Sequence, residues 1–199
     1  SIPVFMQITD GSVHDVHFMD RMLFEAGSIY VFDRGYLDFS RLFKIERANA
    51  YFVIRAKSNM RFSRCKSRPV DKSCGLRCDQ TIRLCTYKSK RDYPNKLRRI
   101  SFFDTDTRKR LVFLTNHFDL PAQAIPAIYK RRWQIELFFK WIKQNLRIKA
   151  FFGTSENAVR TQIWIAICVY LMVACLNKVH GMDESLSRIL QILSVNVFQ

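Results

Sequence analysis

Ile128–Arg147 reads IYKRRWQIELFFKWIKQNLR, and the way this stretch folds decides how the rest of the chain is organised around it. Pro126 sits just ahead, where a first helical turn tolerates proline, and no glycine interrupts the run. The stretch therefore predicts a single helix of about 30 Å at about 1.5 Å per residue. At about 100° per residue, Tyr129, Arg132, Glu136, Lys140, Lys143 and Arg147 fall in one stripe about 80° wide. Ile128, Ile135, Leu137, Phe138, Phe139, Trp141, Ile142 and Leu146 cover most of the remaining circumference, as in a helix buried on several sides. Such a stripe is either a solvated face held by i,i+4 pairs of about 0.2–0.5 kcal/mol each, or the cationic wall of a cleft for a polyanion. In the second case the lone carboxylate of Glu136 requires a cation.

Working outward, Ile29–Phe32 (IYVF) is followed at once by Asp33-Arg34-Gly35-Tyr36. A short apolar strand buried on both faces delivers its next residue to the carboxyl edge of a sheet, where open α/β sheets place their ligands. Gly35 is read as permitting a tight turn into a helix over Asp38–Ala48, with Asp38 as its N-cap. In isolation Asp33 reads equally well as a turn carboxylate.

Tyr129-x2-Arg132-x3-Glu136-x6-Lys143 resembles, without gaps, the Y-R-E-K signature of DDE transposases encoded by bacterial insertion sequences, the family often called insertion-sequence four. Asp33 with Gly35 and Tyr36 resembles the second catalytic Asp of that family, which ends a strand and is followed by x-Gly-Tyr. The resemblance implies an α/β, RNase H-like (ribonuclease H fold) catalytic core. It divides the chain into a partial core with the second catalytic Asp over 1–56, a β-rich insertion over 57–110, a core strand and catalytic helix over 111–150, and C-terminal helices over 151–199. Asp33 and Glu136 would be the second and third carboxylates of the D-D-E triad, catalytic and metal-binding, for Mg²⁺ or Mn²⁺. Tyr129, Arg132 and Lys143 would hold phosphates at the transposon end, with Lys140 beside them. Trp133 would stack on an unpaired base or serve as a core tryptophan.

The implied activity is metal-dependent cleavage and strand transfer at inverted-repeat ends. The partners are double-stranded DNA, both transposon ends and target, and a second copy of the chain in a synaptic complex. The family's first Asp lies upstream of the strand that Ser1–Thr9 resembles, so the N-terminal part of the core is expected to be missing and this portion inactive alone. Asp10 and Asp15 lack the context of that first-Asp motif. A remnant that binds DNA without cutting it is the alternative. Because close carboxylates repel, an empty site is expected to keep one of them partly protonated at a raised pKa.

Composition agrees with a nucleic-acid partner. The 199-residue chain is 48% hydrophobic and 14% aromatic, enough for a sizeable core. Its net charge of +16 calls for a polyanion, nucleic acid ahead of an anionic membrane. SIPVFMQITD has no secretory-signal pattern. The longest apolar run, Ile163–Leu176, is about 14 residues against roughly 20 for a bilayer span, and so predicts a buried core helix and no membrane partner. A cytoplasmic protein, nucleoid-associated when bound to DNA, is the expectation.

Six cysteines in such a protein read as free thiols. Cys65, Cys74, Cys78 and Cys85 are a poor match to zinc modules, and Cys168 and Cys175 read as core. The remaining pattern predicts a helix over His14–Ala26 stopped by Gly27, and strands at Tyr51–Ala56, Thr81–Tyr87, Leu97–Phe103 and Leu111–Thr115. Arg61, Arg64, Lys66, Arg68, Lys88, Lys90, Arg98 and Arg99 are candidates for following a DNA backbone. Helices over Asn157–Lys178, capped at Thr154-Ser155-Glu156, and over Glu184–Phe198 close the chain.

Overall fold

The computed structural model describes residues 2–3, 6–8, 14–146 and 151–196. The chain divides into two compact units, Gly11–Arg132 and Ser1–Asp10 with Trp133–Gln199. Each is described by itself below as the sheet unit and the helical unit.

The sheet unit carries β1 (Ile29–Phe32), β2 (Tyr51–Arg55), β3 (Phe62–Arg68), β4 (Leu76–Leu84), β5 (Leu97–Asp104) and β6 (Lys109–Thr115). They form one sheet in the order β1-β2-β6-β5-β4-β3. Only β1 and β2 run parallel, in the register Val31↔Val53; the other pairings are antiparallel. The parallel pair needs a crossover, which the helix α1 (Phe39–Arg47) supplies, N-capped by Asp38 through a 3.0 Å bond from the Arg41 N–H.

Alternation along β2 explains its unbroken apolar run. Phe52 and Ile54 pack with Leu42 and Ile45 of α1 and with Ile82, Leu97 and Leu114. Val53 points the other way, to Ile100, Phe113 and Ile125, the last from α3 (Ala124–Lys130). Both faces are therefore covered, and neither tolerates a polar residue. Asn116, just past β6, clamps the start of β2: its side-chain oxygen accepts from the Phe52 N–H and its amide donates to the Ala50 carbonyl, both at 2.9 Å.

The expected strands at 29–32, 51–56, 97–103 and 111–115 are present to within a few residues. Tyr87, expected to end a strand, instead opens the short helix α2 (Tyr87–Asp92), because Thr86 caps it by accepting from the Ser89 N–H. The helix expected over His14–Ala26 is a 3-10 helix over Asp15–Arg21. It is tied to α1 where Asp20 receives Arg41 at 2.6 Å and Lys44 at 3.2 Å. Gly27 does take the left-handed conformation, φ +78°. The strands of 57–110 share one sheet with β1 and β2.

The helical unit contains α4 (Trp133–Asn145), α5 (Glu156–His180) and α6 (Leu186–Asn196). Its core is Phe138 and Ile142 of α4 against Ala166, Ile167, Tyr170 and Ala174 of α5. Ser155 caps α5 through the Ala158 N–H at 3.2 Å, and Gly181 at φ +57° ends it. The described positions of Ser1–Thr9, residues 2–3 and 6–8, are not in a strand; Asp10, Arg147 and Phe198 lie outside the described residues.

Three expectations are corrected here. Ile128–Arg147 is not one helix: the Arg131 and Arg132 N–H groups bond three residues back, at 3.1 and 3.0 Å, so α3 closes in a tight turn and α4 begins at Trp133. The physical reason is tertiary anchoring, since Tyr129 is held against Phe113 with ring centroids 4.8 Å apart, and three adjacent cations follow it. Second, Cys168 and Cys175 are exposed, on the side of α5 away from its five buried residues. Third, the 14-residue apolar run sits inside a 25-residue helix, with an 18-residue window of mean hydropathy 1.8 that is 28% buried. By length and composition α5 is long and apolar enough to cross a membrane, so its apolar run alone understates it.

Candidate active site

Asp33 stands where β1 ends and caps the 3-10 turn Arg34–Tyr36. Its Oδ1 accepts from the Arg34 N–H at 2.6 Å and from the Tyr129 hydroxyl at 3.1 Å. Tyr129 comes from α3, 96 positions away, and packing on Phe113 fixes its ring. The Arg132 guanidinium lies 5.7 Å over that ring. Three residues of the sequence-level pattern, Asp33, Tyr129 and Arg132, are thus brought together in the sheet unit.

The electrostatics of this corner are set by the neighbours of Asp33 in the sheet unit. Desolvation pushes the Asp33 pKa up, but the Arg34 N–H, the Arg132 charge, the Tyr129 hydroxyl and the Arg55 charge together outweigh it and hold the carboxyl below its ordinary value. Asp33 is therefore ionised at neutral pH, because its neighbours in this unit are cations and donors. Tyr129 shifts upward, from desolvation first and the Asp33 charge second. It keeps its proton and remains a donor.

In the helical unit Trp133, Glu136, Lys140 and Lys143 lie at i, i+3, i+7 and i+10 on α4, within about 80° of one another at about 100° per residue. Trp133 is 54% exposed, which removes the core-tryptophan reading. Ile135, Leu137 and Phe139 are exposed at 55%, 43% and 44%, so α4 is not buried on several sides by this chain. Arg147, the last residue of the expected stripe, lies outside the described residues.

Arg98 is corrected from a DNA candidate to a structural residue. Arg98 is buried and grips Asp79 with two bonds, at 2.9 and 2.7 Å, while its remaining arm donates to the Leu120 carbonyl at 2.6 Å. Arg68 adds a third contact to Asp79 at 3.4 Å. Gly35 carries no positive φ, and a Cβ there would meet nothing within 4 Å. The turn after Asp33 does not itself demand glycine.

Hard divalent ions take several oxygen ligands. Asp33 fits as one of them: it is ionised, and the Arg34 N–H and the Tyr129 hydroxyl both fall on Oδ1. Among the described residues no group of three or more His, Cys, Asp or Glu side chains gathers to hold a metal, and this includes the four clustered cysteines, all free thiols.

The family described as Transposase DDE domain matches residues 1–172. The chain is 39% identical over 186 residues to a Sinorhizobium fredii protein named as a transposase, y4zB, covering 89% of this chain and 51% of the relative. It is 33% identical over 175 residues to a Geobacillus stearothermophilus protein named as a transposase for insertion sequence element IS5377, covering 87% and 45%. A third relative, from Synechocystis and named for element IS4SA, is 28% identical over 188 residues, covering 88% and 49%. The chain belongs to the DDE transposase family. It spans about half the length of the curated relatives it matches.

Proposed function

We propose that the chain is part of the machinery that cuts and joins DNA at the inverted-repeat ends of an insertion sequence, with Asp33 and Glu136 as catalytic, metal-binding carboxylates on an RNase H-like core. The observation that carries this reading is the Tyr129–Asp33 hydrogen bond, reinforced by the Arg132 charge, across 96 positions of sequence. It couples the strand-end motif to the first half of the Y-R-E-K motif. Tyr129 holds Oδ1 of the Asp33 carboxylate in one orientation, and Oδ2 would take a hard cation. Arg132 supplies a positive charge for a phosphodiester beside that carboxylate, and Lys140 and Lys143 extend positive charge along α4. Trp133, exposed at the head of α4, stacks on a base. When bound, Mg²⁺ or Mn²⁺ would activate the attacking oxygen and stabilise the leaving one. The partners are double-stranded transposon ends, target DNA and a second copy of the chain, in the cytoplasm where the DNA lies. Within this scheme 57–110 is the family's β-rich insertion, and 1–56 and 111–150 make the core.

The second reading is that the chain by itself binds duplex DNA without cutting it. The test is a salt series. Each phosphate neutralised adds about −0.9 to the slope of log K against log salt, so Arg132→Ala and Lys143→Ala each flatten it by about one unit. Unchanged slopes in both return the α4 face to an ordinary solvated surface. Nicking of an inverted-repeat duplex in Mn²⁺ by the chain alone, abolished by Glu136→Gln, would overturn the binding-only reading.

A further inference from the structure

A cavity of about 180 Å³ in the sheet unit is lined by Arg34, Arg55, Lys57, Arg99 and Arg110, with Phe62 in its wall and no carboxylate among its lining residues. None of these five cations is ion-paired with a described carboxylate, whereas elsewhere in the unit Arg98 is neutralised by Asp79 at 2.7 Å and Arg41 by Asp20 at 2.6 Å.

Two of the five are held in place by neutral partners. Arg99 donates to the Gln80 side-chain oxygen and to Cys78 Sγ, both at 3.0 Å, and its guanidinium lies 5.0 Å over the Phe62 ring. Arg110 donates from Nε to the Ser101 hydroxyl at 2.9 Å. These contacts position the guanidinium groups without cancelling their charge, and each guanidinium keeps further N–H donors. The complement is a compact anion with several acceptor oxygens, the chemistry of a phosphate group. Size narrows it further. Pockets for whole small molecules run to about 300–1,000 Å³, so this cavity is too small for a nucleotide. It suits one phosphate group with a few waters of about 30 Å³ each.

We propose that this cavity seats one phosphate of a DNA backbone, beside Asp33. The inference rests on the DNA-binding reading above, and its test separates the two.

Lys57→Gln/Arg110→Gln changes two exposed side chains and so spares the fold, which a urea melt checks. Lys72→Gln/Lys96→Gln removes the same charge from exposed positions outside the cavity. With a random-sequence duplex, the cavity variant should flatten the slope of log K against log salt by about 0.9, the value of one phosphate, and the control should flatten it less. Equal flattening overturns the proposal. Phosphorus NMR with inorganic phosphate distinguishes a strand from a free ion: if the cavity variant loses phosphate binding while its duplex slope is unchanged, the DNA assignment is overturned. If the wild-type chain binds no duplex, the functional reading above fails. The cavity is then judged on inorganic phosphate, with loss of binding in the variant supporting a phosphate site and retention overturning it.

Discussion

In the sheet unit Phe52, Val53, Ile54, Leu97, Ile100 and Leu114 are 0% exposed, whereas on α5 of the helical unit Ile165 and Met172 are each 58% exposed and Val179 77%. A strand has two faces, and this chain covers both faces of β2, with α1 on one and α3 on the other. A helix as apolar all round as α5 needs neighbours all round. Among the described residues of its own unit it packs on α4 and α6. The difference teaches that apolar composition predicts burial in a sheet layer well, and in a helix only as far as the chain supplies neighbours.

The largest expected effect tests that contrast directly. Phe52→Ala should cost about 3–5 kcal/mol, as a large-to-small change in a filled core, and Ile165→Ala should stay within about 0.5 kcal/mol as an exposed change. Urea unfolding followed by circular dichroism reads both. A loss above 1 kcal/mol for Ile165→Ala, on the order of a core deletion, would mean that the α5 face is covered in solution and would remove the contrast.

A smaller effect separates fold from function within the sheet unit. Gly35→Ala should leave stability unchanged or raise it by about 0.4–1 kcal/mol, because the backbone there suits alanine and the space is open. If stability holds and duplex affinity falls, the glycine serves close approach by the ligand. If stability itself falls, the turn after Asp33 is tighter than described.

The smallest effect is a pH dependence. Asp20 is held at about 2, against its ordinary 3.8, chiefly by its hydrogen bond to Arg41, with desolvation opposing and Lys44 assisting. Its folded pKa is depressed, so its contribution to the sheet unit is fully present above pH 3.8 and is lost as pH falls through about 2. An acid titration of stability should therefore be shallower in Asp20→Asn than in the wild type across that window. Parallel curves would assign the acid sensitivity to other carboxylates.

Much of the fold was legible where the signal is local. The apolar run IYVF, the Asp38 cap and the helical period after it predicted β1 and α1 almost to the residue, because capping and alternation act within a few positions. The break at Arg131–Arg132 was not legible. Its cause is the packing of Tyr129 on Phe113 and Asp33, and no pattern in the stretch itself encodes it. Arg98 and Arg99 look alike in sequence, yet alternation sends one to Asp79 in the interior and the other to the cationic cavity. The apolar spacing around Asp15–Arg21 predicts a helix but not its 3-10 form, because the spacing suits either.

From the sequence alone came the family, since four residue types at fixed offsets survive any uncertainty about folding, and with it the expectation of two catalytic carboxylates and of a cationic surface toward the partner. Tertiary structure decided what those residues do to one another. It placed the Tyr129 hydroxyl on Asp33 and surrounded that carboxylate with cations, so that its pKa falls below the ordinary value. Five cations spread from Arg34 to Arg110 lined one cavity, for the same reason. Charge interactions depend on distance and desolvation, and both are set only when remote segments pack.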